Sequence, residues 1–96
     1  MFNSADRRRA VRVIQMHDND NVVVATADIG LGERTGISQL NSRAQVSAGY
    51  KIALHAISRG EPIRKYNVII GFAAQDIVAG DLVHSHNIRV FREICG

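Results

Sequence analysis

Tryptophan is absent from this chain of 96 residues, and two tyrosines, three phenylalanines, one proline and one cysteine are all it has of those types. With so few aromatics, the core has to come from Val, Ile, Leu and Ala, which dominate the 46% apolar fraction. Cys95 is the second-last residue, so no disulfide can form within the chain, as expected of a protein in the reducing cytoplasm. Long apolar runs are missing too. The longest stretch of low polarity, Val68 to Ala74, is far too short to span a bilayer. The opening MFNSADRRRAVRVIQM has arginines but no continuous apolar segment after them, which makes it a poor secretory signal.

What is present is the composition of one ordinary globular domain, with 22% charged residues. Dividing a chain this short would leave neither half a workable core. A core of this size gives little net stability, so a partner surface or a homo-oligomer is a reasonable expectation. The net charge of +3 suggests nucleic acid at first sight, but without Arg7, Arg8 and Arg9 the formal balance falls to zero. The basicity therefore belongs to an N-terminal leader, residues 1–10. With no aromatic stacking platform and no helix–turn–helix pattern, no nucleic-acid partner is expected, and no membrane either.

Strand signals dominate residues 11–90. VRVIQM (11–16) alternates and NVVVAT (21–26) is β-branched, with the turn-like HDND between them, so these two segments should form a hairpin. YKIAL (50–54), PIRKY (62–66), VIIGFAA (68–74) and LVHSHNIRVF (82–91) also read as strands, Pro62 marking a strand start or edge. No window keeps a helical period. A short pattern recurs in DIGLGE (28–33), AISRGE (56–61) and DIVAGD (76–81): an Ile, two residues, Gly, then an acid. VSAGY (46–50) is a looser fourth copy. Each copy is expected to be one helical turn, anchored by its Ile and left through its Gly.

Half of the four histidines fall in LVHSHN (82–87). Residues two apart on a strand share a face, so an extended segment would aim His84 and His86 the same way. Two imidazoles suit a borderline metal or a proton donor, yet a metal site needs three or four ligands. No Asp or Glu stands in this segment. On the residues alone, the pair is either a fragment of a site or two exposed side chains on an edge strand.

The ordered set His17, Asp20-Asn21-Val22, Gly49-x-Lys51-x-Ala53-Leu54, Gly60-Glu61, Lys65-Tyr66, Ile70-Gly71 and His84-x-His86-Asn87 resembles the N-terminal SAF (antifreeze-like) domain of altronate and galactarate dehydratases. It is equally similar to the separately encoded small subunit of the related sulfolactate sulfo-lyase. The likeness runs from about Val13 to Asn87. It implies a mainly β, β-clip fold over residues 11–90, with short helical turns between strands and a tail at 91–96. It implies a lyase, more narrowly a hydro-lyase subunit inactive alone, completed by a large catalytic subunit or domain. That larger part would mainly hold a divalent metal, usually iron, and a sugar acid would be the substrate. The short tail favours a free-standing subunit over an excised domain. A non-catalytic SAF-like ligand-binding or adaptor module is the rival from another class.

The resemblance selects His84 and His86 as catalytic residues and metal ligands. Lys51, Lys65, Tyr66, Asn87, His17 and Asn21 follow as substrate-binding residues, the lysines suited to a carboxylate and Tyr66 and Asn87 to hydroxyls. The residue types permit plainer roles as well: Asp18, Asp20 and Asn21 as hairpin-turn residues, Lys51 as a solvated lysine, Tyr66 as an anchor at the edge of the core. Two departures from the family pattern stand out. Tyr50 occupies the place of a usual His in Gly49-Tyr50-Lys51, and Asn67 that of a usual Gly in Lys65-Tyr66-Asn67. Asn tolerates a left-handed backbone, so the second change can be silent in shape.

Overall fold

The computed structural model describes residues 11–90. Seven short strands form in chain order: β1 (Val13–Ile14), β2 (Val22–Ala25), β3 (Lys51–Ala53), β4 (Pro62–Lys65), β5 (Val68–Ala73), β6 (Leu82–Val83) and β7 (Ile88–Arg89). One sheet has the order β1-β2-β3-β6 and the other β4-β5-β7, with every neighbouring pair antiparallel. The chain is mainly β, as its β-branched runs require. The expected first hairpin forms, pairing Val13 with Ala25 and Ile14 with Val24. The second hairpin, β4–β5, turns at Tyr66 and Asn67, whose φ angles of 60° and 61° are both left-handed. That is the two-residue geometry whose twist suits a hairpin.

The recurring Ile-x-x-Gly pattern does not make helical turns. Each copy is a β-turn in which the residue after the glycine donates its N–H back three positions: Glu33 to Gly30, Tyr50 to Ser47, Glu61 to Ser58 and Asp81 to Val78. The third residue is always glycine, at φ of 84° to 92°. That is the signature of a type II turn, which a right-handed helical turn cannot accommodate. The acids close three of these turns, their carboxylates accepting the N–H of Gly30, Ser58 and Val78. The Gly30 N–H holds the Glu33 carboxyl below its ordinary value; partial burial opposes this and Arg12 adds to it.

The structure also lengthens the repeat. Four residues before each branched side chain stands a small buried residue: Ala25, Ser42, Ala53 and Ala73. Each exchanges two backbone hydrogen bonds with the Gly and the next residue of another copy. Ala25 pairs with Gly49-Tyr50, Ser42 with Gly32-Glu33, Ala53 with Gly80-Asp81 and Ala73 with Gly60-Glu61, all at 2.7 to 2.9 Å. The copies thus form two reciprocal pairs, centred on the bridges Ile29–Val46 and Ile57–Ile77. Each pair sits in its own apolar cluster. One gathers Val13, Val23, Ala25, Leu40 and Ile52 around Ile29 and Val46. The other gathers Val22, Ala53, Ile63, Ala73 and Val83 around Ile57 and Ile77.

A second expectation gives way at residues 82–91. The strand breaks after Val83, and His84 to Asn87 form a turn leading into β7 on the other sheet. Asn87 causes the break. Its Oδ1 accepts the His84 N–H at 2.9 Å and its Nδ2 donates to the Leu82 carbonyl at 2.8 Å, replacing the partners a continued ladder would supply. His84 and His86 are therefore not neighbours on one strand face.

Gly49 and Gly80 share nearly the same φ, 91° and 92°, in different surroundings. A Cβ on Gly49 meets nothing within 4 Å, whereas one on Gly80 would lie 2.3 Å from the Asn41 carbonyl oxygen. Gly49→Ala should cost about 1–2 kcal/mol, the left-handed penalty alone. Gly80→Ala should cost clearly more, because backbone has to move. Urea unfolding of both variants checks this; equal losses would contradict the packing described for Gly80.

Candidate functional site

β3, the end of β4, β5 and the turn after β6 enclose a cleft of about 390 Å³ lined by Lys51, Lys65, Ile70, His84, Ser85, Ile88 and Val90. Three of the residues singled out from sequence, Lys51, Lys65 and His84, meet here from positions far apart in the chain. Lys51 is half-buried on the central strand β3, opposite Val83. Lys65 closes β4 just before the left-handed turn. His84 starts the turn that Asn87 holds, its carbonyl accepting from the N–H groups of both Asn87 and Ile88. Its ring packs on Tyr50, with centroids 4.8 Å apart and planes tilted by 49°.

The cleft is electrostatically unfinished. Among the described residues the ion pairs are Arg12–Glu33 and Arg43–Asp81, and neither lysine of the cleft takes part in one. No carboxylate among the described residues lines the walls. Burial lowers the Lys51 pKa from the ordinary 10.5, and the neighbouring charge of Lys65 lowers it further. Two cations, an imidazole and a hydroxyl beside apolar side chains are the groups that chemically suit a small anion.

The other selected residues stand elsewhere. His86 is exposed in the turn and does not line the cleft. His17 is exposed in the β1–β2 turn, its Nδ1 accepting the Asn19 N–H at 3.0 Å. Asn21 spends both ends of its amide on β4: Nδ2 donates to the Pro62 carbonyl, and Oδ1 accepts the Arg64 N–H. Asn87, 2% exposed, is likewise used up in holding its own turn. Tyr66 is no core anchor, because it is 67% exposed at the hairpin tip. A larger depression of about 690 Å³, lined by Asn19, Arg64, Asn67 and Ile69, has one cation and none of the selected residues.

As to a metal, among the described residues no three His, Cys, Asp or Glu side chains gather closely enough to hold one. Among the described residues His84 and His86 have no third ligand beside them. Cys95 and the arginines at 7–9 lie outside the described residues.

Three residues of the site escaped the sequence reading as participants: Tyr50, Ser85 and Asp20. Asp20 is 2% exposed, and its carboxylate accepts the N–H groups of Tyr66 and Asn67 at 2.6 and 2.7 Å. It holds the left-handed turn beside Lys65. The only signal was an acid in a turn, and its partners lie 46 and 47 residues away.

The fold and the cleft define a small mainly β domain with a cationic recess made from several strands. Residues 11–90 match the model of the altronate/galactarate dehydratase SAF domain, and the chain belongs to that family. It is 40% identical over 81 residues to an altronate dehydratase of Escherichia coli (strain K12), covering 82% of this chain and 16% of that protein. The altronate dehydratase of Bacillus subtilis (strain 168) gives 40% over 79 residues, again 16% of its length. The (2R)-sulfolactate sulfo-lyase subunit alpha of Paracoccus pantotrophus is 35% identical over 54 residues, which is 56% of this chain and 81% of that subunit. The chain thus spans about one sixth of the dehydratases it matches. Among the described residues no helix is long and apolar enough to cross a membrane.

Two outcomes check this geometry. Asp20→Ala should destabilise by about 1–3 kcal/mol, through loss of two charge-assisted bonds to a strained turn; equilibrium unfolding measures it. For Lys51, the folded pKa lies below 10.5. Between the folded value and 10.5 the unfolded chain binds more protons, so stability from this group rises with pH across that window. Lys51→Met should remove that rise and stabilise the protein at pH 7 by less than about 1 kcal/mol, the group being partly solvated. Denaturation of wild type and variant at pH 7 and pH 10 reads both effects.

Proposed function

We propose that this chain is the SAF part of a metal-dependent sugar-acid dehydratase of the altronate/galactarate type, a cytoplasmic hydro-lyase completed by a larger catalytic chain or domain. The observation that carries this reading is the convergence of Lys51, Lys65 and His84 on one cleft that no carboxylate lines among the described residues. Eliminating water from a hydroxy acid requires a cationic hold on the carboxylate, a base for the α-proton and an acid for the leaving hydroxide. Lys51 and Lys65 supply the hold, and Ser85 can orient a hydroxyl. His84, beside them, is suited to give a proton to the leaving oxygen. Among the described residues no metal site is completed, which supports placing the divalent metal, iron by family resemblance, on the larger part and reading this chain as inactive alone.

A second reading, the small subunit of a sulfolactate sulfo-lyase, is supported by the 35% identity over 54 residues to subunit alpha of that enzyme. The cleft serves either, since both substrates are hydroxy acids with a carboxylate. Identity over the longer match favours the sugar acid.

Co-expression with the large dehydratase-like chain encoded nearest to it separates the possibilities. Water loss from altronate and galactarate and sulfite release from sulfolactate are assayed with wild type, His84→Ala and Lys51→Met. Activity that needs both chains and falls at least about 100-fold in His84→Ala supports the proposal. Full activity from the large chain alone, or from the variant pairs, leaves an adaptor role instead.

A further inference from the structure

Position 50 breaks the pattern that the fold itself sets. In three of the four type II turns the residue after the glycine is Glu33, Glu61 or Asp81, and its carboxylate caps its own turn at 2.6 to 2.9 Å. Tyr50 has the same backbone role. It donates to the Ser47 carbonyl at 3.1 Å and accepts the Ala25 N–H at 2.8 Å. Its side chain contributes no such cap. The ring packs on His84 instead, within the distance range of favourable aromatic pairs. The β3–β6 register ends at the Lys51–Val83 pair, and Tyr50 and His84 are the residues just beyond it on the two chains, where their rings meet. An acid at this position, which the other three turns use, would bring a negative charge beside the His84 ring and one residue from Lys51. That charge would compete with an external anion for the cations of the cleft.

We propose that Tyr50 is a positioning residue of the cleft: its ring fixes the orientation of the His84 imidazole, and its lack of charge keeps the recess open to an external carboxylate. Asn87 fixes the backbone of the exposed His84, and Tyr50 packs on its ring. The second half of the proposal rests on the reading of the cleft as a hydroxy-acid site; the first half does not.

The test uses the 96-residue chain with Tyr50→Phe, Tyr50→Leu and Tyr50→Glu, read by NMR without ligand and then with altronate as probe. Without ligand, the His84 ring protons should carry an aromatic ring-current shift in wild type and Tyr50→Phe that is lost in Tyr50→Leu. Tyr50→Glu should melt no lower than wild type, having gained the cap, yet bind altronate about tenfold more weakly or worse. Identical His84 shifts in wild type and Tyr50→Leu would overturn the positioning role. Equal altronate binding by wild type and Tyr50→Glu would overturn the charge argument. If wild type itself binds no altronate, the reading of the cleft fails, and the His84 shifts still decide what Tyr50 does.

Discussion

Everything in this domain depends on the reciprocal pairing of its type II turns. Strands of two to six residues cannot hold a fold by their ladders alone. Here each turn delivers an N–H and a carbonyl to a small residue of another copy, and a branched side chain beside it is fully buried. Ile29 with Val46 and Ile57 with Ile77 are thus both the centres of the turn pairs and the centres of the two apolar clusters. A buried Ile or Val contributes roughly 1.5–3 kcal/mol by removal from water. The bridges also close backbone groups that would otherwise be buried without partners. Aromatic side chains are unnecessary to this scheme, which explains how a chain so poor in them has a core.

The cleft follows from that framework. The second turn pair sets β4 and β5 beside β3, and the Asn87 turn carries the chain from β6 in one sheet to β7 in the other. Lys51, Lys65 and His84 converge because three separate turns, held by Asp20, by Asn87 and by the paired glycines, bring their strands together. Burial and the nearby Lys65 charge lower the Lys51 pKa, so the charged form of Lys51 is held at some cost to the fold. A half-buried cation beside another, with no ion pair among the described residues, is an arrangement suited to an anion.

Much of the fold was legible from local patterns. β-branched alternation marked the first five strands, and Ile-x-x-Gly-acid marked the turns. The turn type was misread, since an anchored Ile and an exit Gly suit a helical turn as well as a type II turn. The small residue four places earlier went unnoticed because Ala and Ser are too common to signal pairing. The segment LVHSHNIRVF alternates like a strand, and only Asn87 capturing its own backbone breaks it. In the site, Lys51, Lys65 and His84 were reached through family resemblance, and nothing local links residues 51, 65 and 84. Asp20 and Tyr50 stayed hidden because their partners are distant in the chain.

The central claim is that a small carboxylate occupies the Lys51–Lys65–His84 recess. The most direct test is a backbone and side-chain chemical-shift map of the chain titrated with a hydroxy acid. The account predicts saturable shifts confined to Lys51, Lys65, His84 and Ser85 with their immediate neighbours. Shifts centred instead on the Asn19–Arg64–Asn67 depression, or none at concentrations that saturate the assembled enzyme, would contradict it.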